Sequence, residues 1–113
     1  MTNNHINYIE LNAKNLEEIK TFYSTCFGWS FTDYGPDYVA FSDSGLQGGF
    51  EKTDKKIVNG ALVVLYHENL EKIKNTILKT GGKITKDIFS FPGGKRFHFS
   101  DPSGNELAIW AEK

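Results

Sequence analysis

Cys26 is the only cysteine in this 113-residue chain. No intramolecular disulfide can therefore form, and no thiolate metal cluster can be built. Excess charge of either sign is also missing: 13 basic and 14 acidic side chains leave a net charge of −1. A nucleic-acid binder would carry a basic stripe, and the densest candidate, Lys52 to Lys56, is interrupted by Thr53 and Asp54 and reads as a solvated loop. Long apolar runs are absent as well. The longest, Ala61 to Tyr66, falls far short of a membrane span, and the opening MTNNHINYIE has neither a basic nor an apolar leader region. The glycine pair Gly93-Gly94 lacks the spacing of a phosphate loop, and no helix follows it. The expectation is a soluble cytoplasmic protein without nucleic-acid or membrane partners.

What the chain does have is aromatic residues, nine Phe, five Tyr and two Trp, within a hydrophobic content of 39%. A disordered chain would not carry that load. The length fits one domain, or two small units sharing a core. An internal repeat points to the second arrangement. NLEEIKTFYSTCFG, Asn15 to Gly28, lies over NLEKIKNTILKTGG, Asn69 to Gly82, with six of fourteen positions identical. Further on, FSDSG at Phe41 to Gly45 lies over FSDPSG at Phe99 to Gly104. Two matches in the same order indicate a duplication, and the growing offset between them indicates short loop insertions.

Each half has the same expected layout. Ile6 to Leu11 alternates as a strand, and Asn15 with Glu18 forms a helix-opening box. Leu16, Ile19, Phe22, Tyr23 and Cys26 then make an apolar helical stripe that ends at Gly28. Strands are expected at Trp29 to Tyr34, Tyr38 to Ser42 and Gln47 to Lys52. The second half repeats this with a strand at Ala61 to Tyr66 and a helix from Leu70 carrying Ile73, Ile77 and Leu78. Strands follow near Lys83 to Phe89, Arg96 to Ser100 and Glu106 to Ala111. The fold class is α+β, with βαβββ twice over and helices on one face of a curved mixed sheet. The domain spans residues 1–113, with module one at about 5–51 and module two at about 60–112.

NYIELNAKNLEEIKTFYSTCFGW together with GGKRFHFSDPSGNELAIW resembles the vicinal-oxygen-chelate superfamily of glyoxalases, bleomycin-resistance proteins and extradiol dioxygenases. The resemblance implies paired βαβββ modules curling into a cup, and a homodimer. It also implies where a metal would be held: on the first and last strands of each module, by His and Glu. The corresponding positions here are Tyr8, Gly49, Leu62 and Ala108. Divalent metals of this class need imidazole or carboxylate donors, and only Tyr8 has any side-chain donor. No metal or other cofactor is expected.

If Tyr8 faces the cup, strand alternation places Glu10 there too, and Ala108 brings Glu106 and Trp110. His98 stands where dioxygenase-like relatives carry a catalytic residue, four before the Pro of the DP turn, and Arg96 shares its face. The expected ligand-binding set is Tyr8, Glu10, Leu62, Arg96, His98, Glu106 and Trp110, with Trp29 and Tyr38 as further contributors. Each has a plainer alternative: the carboxylates solvated or paired with Arg96 or Lys95, His98 bonded to a neighbouring strand, and the tryptophans in the core or a dimer interface.

The leading function is capture of a small organic ligand, aromatic or cationic, by a member lacking the usual metal site. Paired aromatics with a carboxylate suit a flat cation. No catalytic residue is assigned. The alternatives are a metal-dependent glyoxalase-like lyase, isomerase or dioxygenase using His98, Glu106 and Glu10, and metal-free acid–base catalysis in the same cup.

Overall fold

The computed structural model describes residues 1–113. The chain forms two compact units, Met1–Lys56 and Ile57–Lys113.

In the first unit the order is β1 (Tyr8–Ala13), α1 (Leu16–Phe27), β2 (Ser30–Asp33), β3 (Tyr38–Ser42) and β4 (Gln47–Lys52). Asn15 opens α1 by accepting the Glu18 N–H on its side-chain oxygen at 3.0 Å, and Glu17 and Glu18 suit the positive end of the helix dipole. Gly28 closes it at φ 72°, a left-handed conformation in which its N–H reaches the Ser24 and Tyr23 carbonyls. The sheet order is β1-β4-β3-β2, with β1 parallel to β4 and the other pairs antiparallel.

Alternation divides this sheet into two faces. Ala13, Val39, Phe41 and Phe50 are buried, as are Leu16, Ile19, Phe22 and Tyr23 of α1. A ring stack runs through this core, Tyr23 on Trp29 at 4.7 Å and Trp29 on Phe41 at 4.6 Å. Trp29, for which both the cup and the core were open, is 7% exposed, just outside β2 and inside the helix-side core. Gly48 makes that core close: a Cβ there would strike the Ile9 carbonyl and the Phe41 ring.

The second unit repeats the plan with β5 (Val63–Tyr66), α2 (Leu70–Lys79), β6 (Lys83–Phe91), β7 (Gly94–Ser100) and β8 (Glu106–Ala111). Its sheet order is β5-β8-β7-β6, again with the first and last strands of the unit parallel. Asn69 caps α2 through the Lys72 N–H at 3.1 Å, and the Asn69 N–H is itself taken by His67 Nδ1 at 2.9 Å. Leu70, Ile73 and Ile77 are buried with Phe97, Phe99, Leu107 and Ile109. Leu78, expected on the same stripe, is 48% exposed. At 100° per residue it lies well off the line from Ile73 to Ile77.

The DPSGN segment is a tied turn. Buried Asp101 accepts the N–H groups of Ser103, Gly104 and Asn105 on one carboxylate oxygen and the Asn105 side-chain amide on the other, all between 2.9 and 3.0 Å. Asn59 extends the order upstream, accepting the Glu106 N–H and donating to the Gly104 carbonyl. The first strands differ from the sequence expectation. β1 starts at Tyr8 rather than Ile6, which is 78% exposed, because its parallel partner β4 begins at Gln47, opposite Tyr8. β5 starts at Val63 for the same reason, its pairing beginning opposite Leu107. The fold is α+β, two βαβββ modules each with a four-stranded mixed sheet.

Two substitutions test this packing. Gly48→Ala overpacks a filled core and should cost about 1–3 kcal/mol. Asn69→Ala removes a helix cap and should cost about 1 kcal/mol. Urea titration followed by circular dichroism measures both.

Candidate functional site

The helix covers one face of each sheet, and the other face carries the chemistry. On the first unit that face presents Tyr8 and Glu10 of β1 and Tyr38 of β3. Tyr38 Oη donates to Glu10 Oε1 at 3.0 Å and lies 2.6 Å from Tyr8 Oη. Since the single Tyr38 proton goes to Glu10, Tyr8 is the donor in the pair, giving a directed chain Tyr8→Tyr38→Glu10. The chain sits over Gly49. A Cβ at Gly49 would come within 2.7 Å of Tyr8 Oη and closer still to Tyr38 Oη. Burial pushes the Tyr38 phenol well above its ordinary range, and its bonds to Tyr8 and Glu10 push it further.

On the second unit the open face is broader. Leu62, just before β5, is 39% exposed, followed on the same side by Val64 at 44% and Tyr66 at 52%. Trp110 on β8 meets Tyr66 edge-on at 5.2 Å and lies 6.5 Å from Phe91. Tyr66 Oη donates to Glu112 Oε1 at 3.2 Å. Glu106 Oε2 accepts from Thr85 Oγ1 at 3.0 Å and faces His98 Nδ1 at 3.4 Å. His98 and Arg96 project from alternate positions of β7, where they pair with Ala108 and Trp110. Both flank the Phe89 ring, His98 at 6.0 Å between centroids and the Arg96 guanidinium carbon at 5.3 Å. His98 Nε2 and Arg96 Nε are buried and have no hydrogen-bond partner.

The structure thus groups the expected residues into two sets, one per unit. Tyr8 and Glu10 are joined through Tyr38. Glu106 touches His98, and Arg96, Trp110 and Leu62 share their sheet face. The proposed pairing of the carboxylates with Arg96 or Lys95 does not occur: Glu10 bonds to Tyr38, and Glu106 bonds to Thr85 and His98. Sequence reasoning missed Thr85, Phe89 and Phe91. All three have the parity opposite to Ile84, which pairs with buried Phe99, so alternation along β6 was the signal that could have found them; the two register shifts, between Ile84 and Lys86 and between Lys86 and Phe89, cancel in parity. Clefts of about 320 Å³ and 440 Å³ also lie at the N-terminal ends of α1 and α2, lined by Lys14, Asp33 and Lys52 in one and Glu68, Lys95 and Lys113 in the other. None of the expected ligand-binding residues lines either cleft.

Comparison with known proteins agrees with this architecture. The family model of the glyoxalase/bleomycin resistance protein/dioxygenase superfamily matches residues 5–109. The chain belongs to this superfamily. Solved members share its fold at low identity. A family enzyme from Burkholderia phytofirmans PsJN superimposes with a TM-score of 0.82 at 13% identity, covering 94% of this chain and 97% of that one. The fosfomycin resistance protein FosX from Listeria monocytogenes gives 0.82 at 15% identity, with 99% and 96% coverage. A superfamily protein from Alicyclobacillus acidocaldarius gives 0.72 at 20% identity, with 96% and 92% coverage. No curated protein matches the sequence.

The superfamily's metal positions can now be tested against the residues that occupy them. Tyr8 is tied to Tyr38, Gly49 has no side chain and lies beneath two phenol oxygens, Leu62 is aliphatic, and Ala108 is aliphatic and fully buried. This set does not fit a divalent metal. Neither unit brings three His, Cys, Asp or Glu side chains close enough together to hold one. Of the alternative donors His98, Glu106 and Glu10, the second unit assembles the first two, while Glu10 belongs to the first.

The raised Tyr38 pKa has a measurable consequence. Above the ordinary phenol value of about 10, the unfolded chain releases a proton that the native state keeps. Stability is therefore fully present below about pH 10 and falls as pH rises toward the native pKa. Tyr38→Phe should flatten that fall, read from urea midpoints between about pH 9 and 11.5, and should remove the latest-ionising phenol from the ultraviolet titration.

Proposed function

We propose that this superfamily member binds a small organic molecule on the second unit's open sheet face through Leu62, Arg96, His98, Glu106 and Trp110, and that Tyr8 and Glu10 give the first unit's open face a binding capacity of its own. The observation behind this is the makeup of the second unit's face. Exposed Leu62, Val64 and Tyr66 adjoin a half-buried Trp110, beside a few polar groups, among them His98 and Arg96, that have unmet hydrogen-bonding capacity. An apolar and aromatic floor with a small number of convergent polar atoms is the usual composition of a small-molecule site. The superfamily fold hosts many chemistries, so the reading rests on the residues rather than on the fold. The homodimer implied by the family belongs to the same proposal, and sedimentation equilibrium checks it.

The contact between His98 and Glu106 favours one second reading, metal-free proton transfer on the bound molecule. Turnover that needs Glu106 and ignores chelators would separate it from capture alone.

A thermal-shift screen of aromatic and heteroaromatic compounds tests the leading reading. A ligand present at a hundred times its Kd should stabilise the fold by about 2.7 kcal/mol, with or without EDTA. Trp110→Ala should abolish the shift. Stoichiometric transition metal that raises the melting temperature, and whose removal abolishes ligand binding, would overturn the metal-free reading.

A further inference from the structure

Arg96 stands out among the charged side chains. The ion pairs of this chain join Lys20 to Glu17 and Asp33, Lys74 to Asp87, and His98 to Glu106. None involves Arg96, although it is half-buried and its Nε is fully enclosed. The acids on the same face are engaged elsewhere, Glu106 with Thr85 and His98, and Glu112 with Tyr66. The guanidinium carbon instead lies over two rings, 5.3 Å from the Phe89 centroid and 5.8 Å from that of Phe91. With Nε enclosed, the terminal Nη donors are the ones a partner can reach. Two residues along β7, His98 has its Nδ1 turned to Glu106, so Nε2 is the atom left for a partner, and it too is buried without one. Lys86, opposite His98 on β6, adds a second cation 4.4 Å above the same Phe89 ring.

A buried donor on a permanently charged group is costly unless something meets it. We propose that Arg96 is the receptor for an acidic group, a carboxylate or phosphonate, on the small molecule whose apolar body lies against Trp110, Tyr66 and Val64; His98 Nε2, an acceptor when Nδ1–H faces Glu106, stays outside that receptor. The assignment rests on the ligand-binding reading above and narrows it from a small organic molecule to an organic oxyanion. A carboxylate, or two oxygens of a phosphonate, matches the paired N–H donors on the Nη edge of a guanidinium. It also reverses the charge expected from the sequence, where aromatic residues beside carboxylates suggested a cation.

Calorimetry with four compounds sharing one body tests this: 3-phenylpropionate, 3-phenylpropylphosphonate, 3-phenylpropanamide and 3-phenylpropylamine. The two acids should bind about ten-fold or more tightly than the amide and the amine. Arg96→Gln should remove that preference, lowering acid affinity about ten-fold or more and amide affinity far less, and Arg96→Lys should recover only part of it, since a point charge cannot supply the fork. Trp110→Ala should weaken all four alike. Circular dichroism melts confirm that each variant is folded. Acid binding that survives Arg96→Gln, or an amide or amine that binds as well as the acids, overturns the oxyanion assignment and leaves the ligand-binding reading in place. Failure of all four compounds to bind the wild-type protein overturns both. A preference for phosphonate over propionate, or the reverse, identifies which acid the receptor takes.

Discussion

Parallel pairing of the first and last strand of each module governs the rest of this structure. A parallel pair cannot be closed by a tight hairpin; it needs a long crossover, and here the helix and the two intervening strands supply it. The crossover places α1 and α2 against one face of their sheets and leaves the opposite face uncovered. Strand alternation then sorts every strand residue into core or open face. Ile9 and Leu11 go under the helix while Tyr8 and Glu10 go outward, and Phe97 and Phe99 go inward while Arg96 and His98 go outward. The open face follows from the topology, and its residues account for the chemistry discussed here.

Much of this was legible in the sequence because the signals were local. The Asn15 cap, the glycine that ends α1 and the alternation along β1 and β8 depend on near neighbours in the chain. The repeat between Asn15 to Gly28 and Asn69 to Gly82 identified the module, and the parallel register of β1 with β4 and β5 with β8 reproduces it in space. The errors have physical causes of another kind. The ends of β1 and β5 are set by where their partners begin, which is long-range information. Trp29 reads as a strand residue by composition but lies just outside β2, where a ring stack with Tyr23 and Phe41 draws it into the core.

The candidate site shows the same division. The family resemblance proposed a face for Tyr8, Ala108 and His98, and period two extended it to Glu10, Arg96, Glu106 and Trp110. Their partners could not be assigned in this way. That Glu106 would turn to Thr85 and His98 depends on which strands lie side by side, which no period along one strand reveals. That Arg96 would be left without a counter-charge depends on which acid each neighbour captures. A charge tally along the chain, close to neutral, does not reveal that this guanidinium makes no ion pair.

Gly48 and Gly49 sit side by side in β4, and each lies beneath rings, Phe41 over the first and the phenols of Tyr38 and Tyr8 over the second. Any side chain larger than glycine at position 49 would run into the phenol oxygens of Tyr38 and Tyr8, and at position 48 into the Phe41 ring and the Ile9 carbonyl. Two neighbouring residues of one strand thus set how closely rings can lie on its two opposite faces, the core on one side and the Tyr8–Tyr38–Glu10 chain on the other.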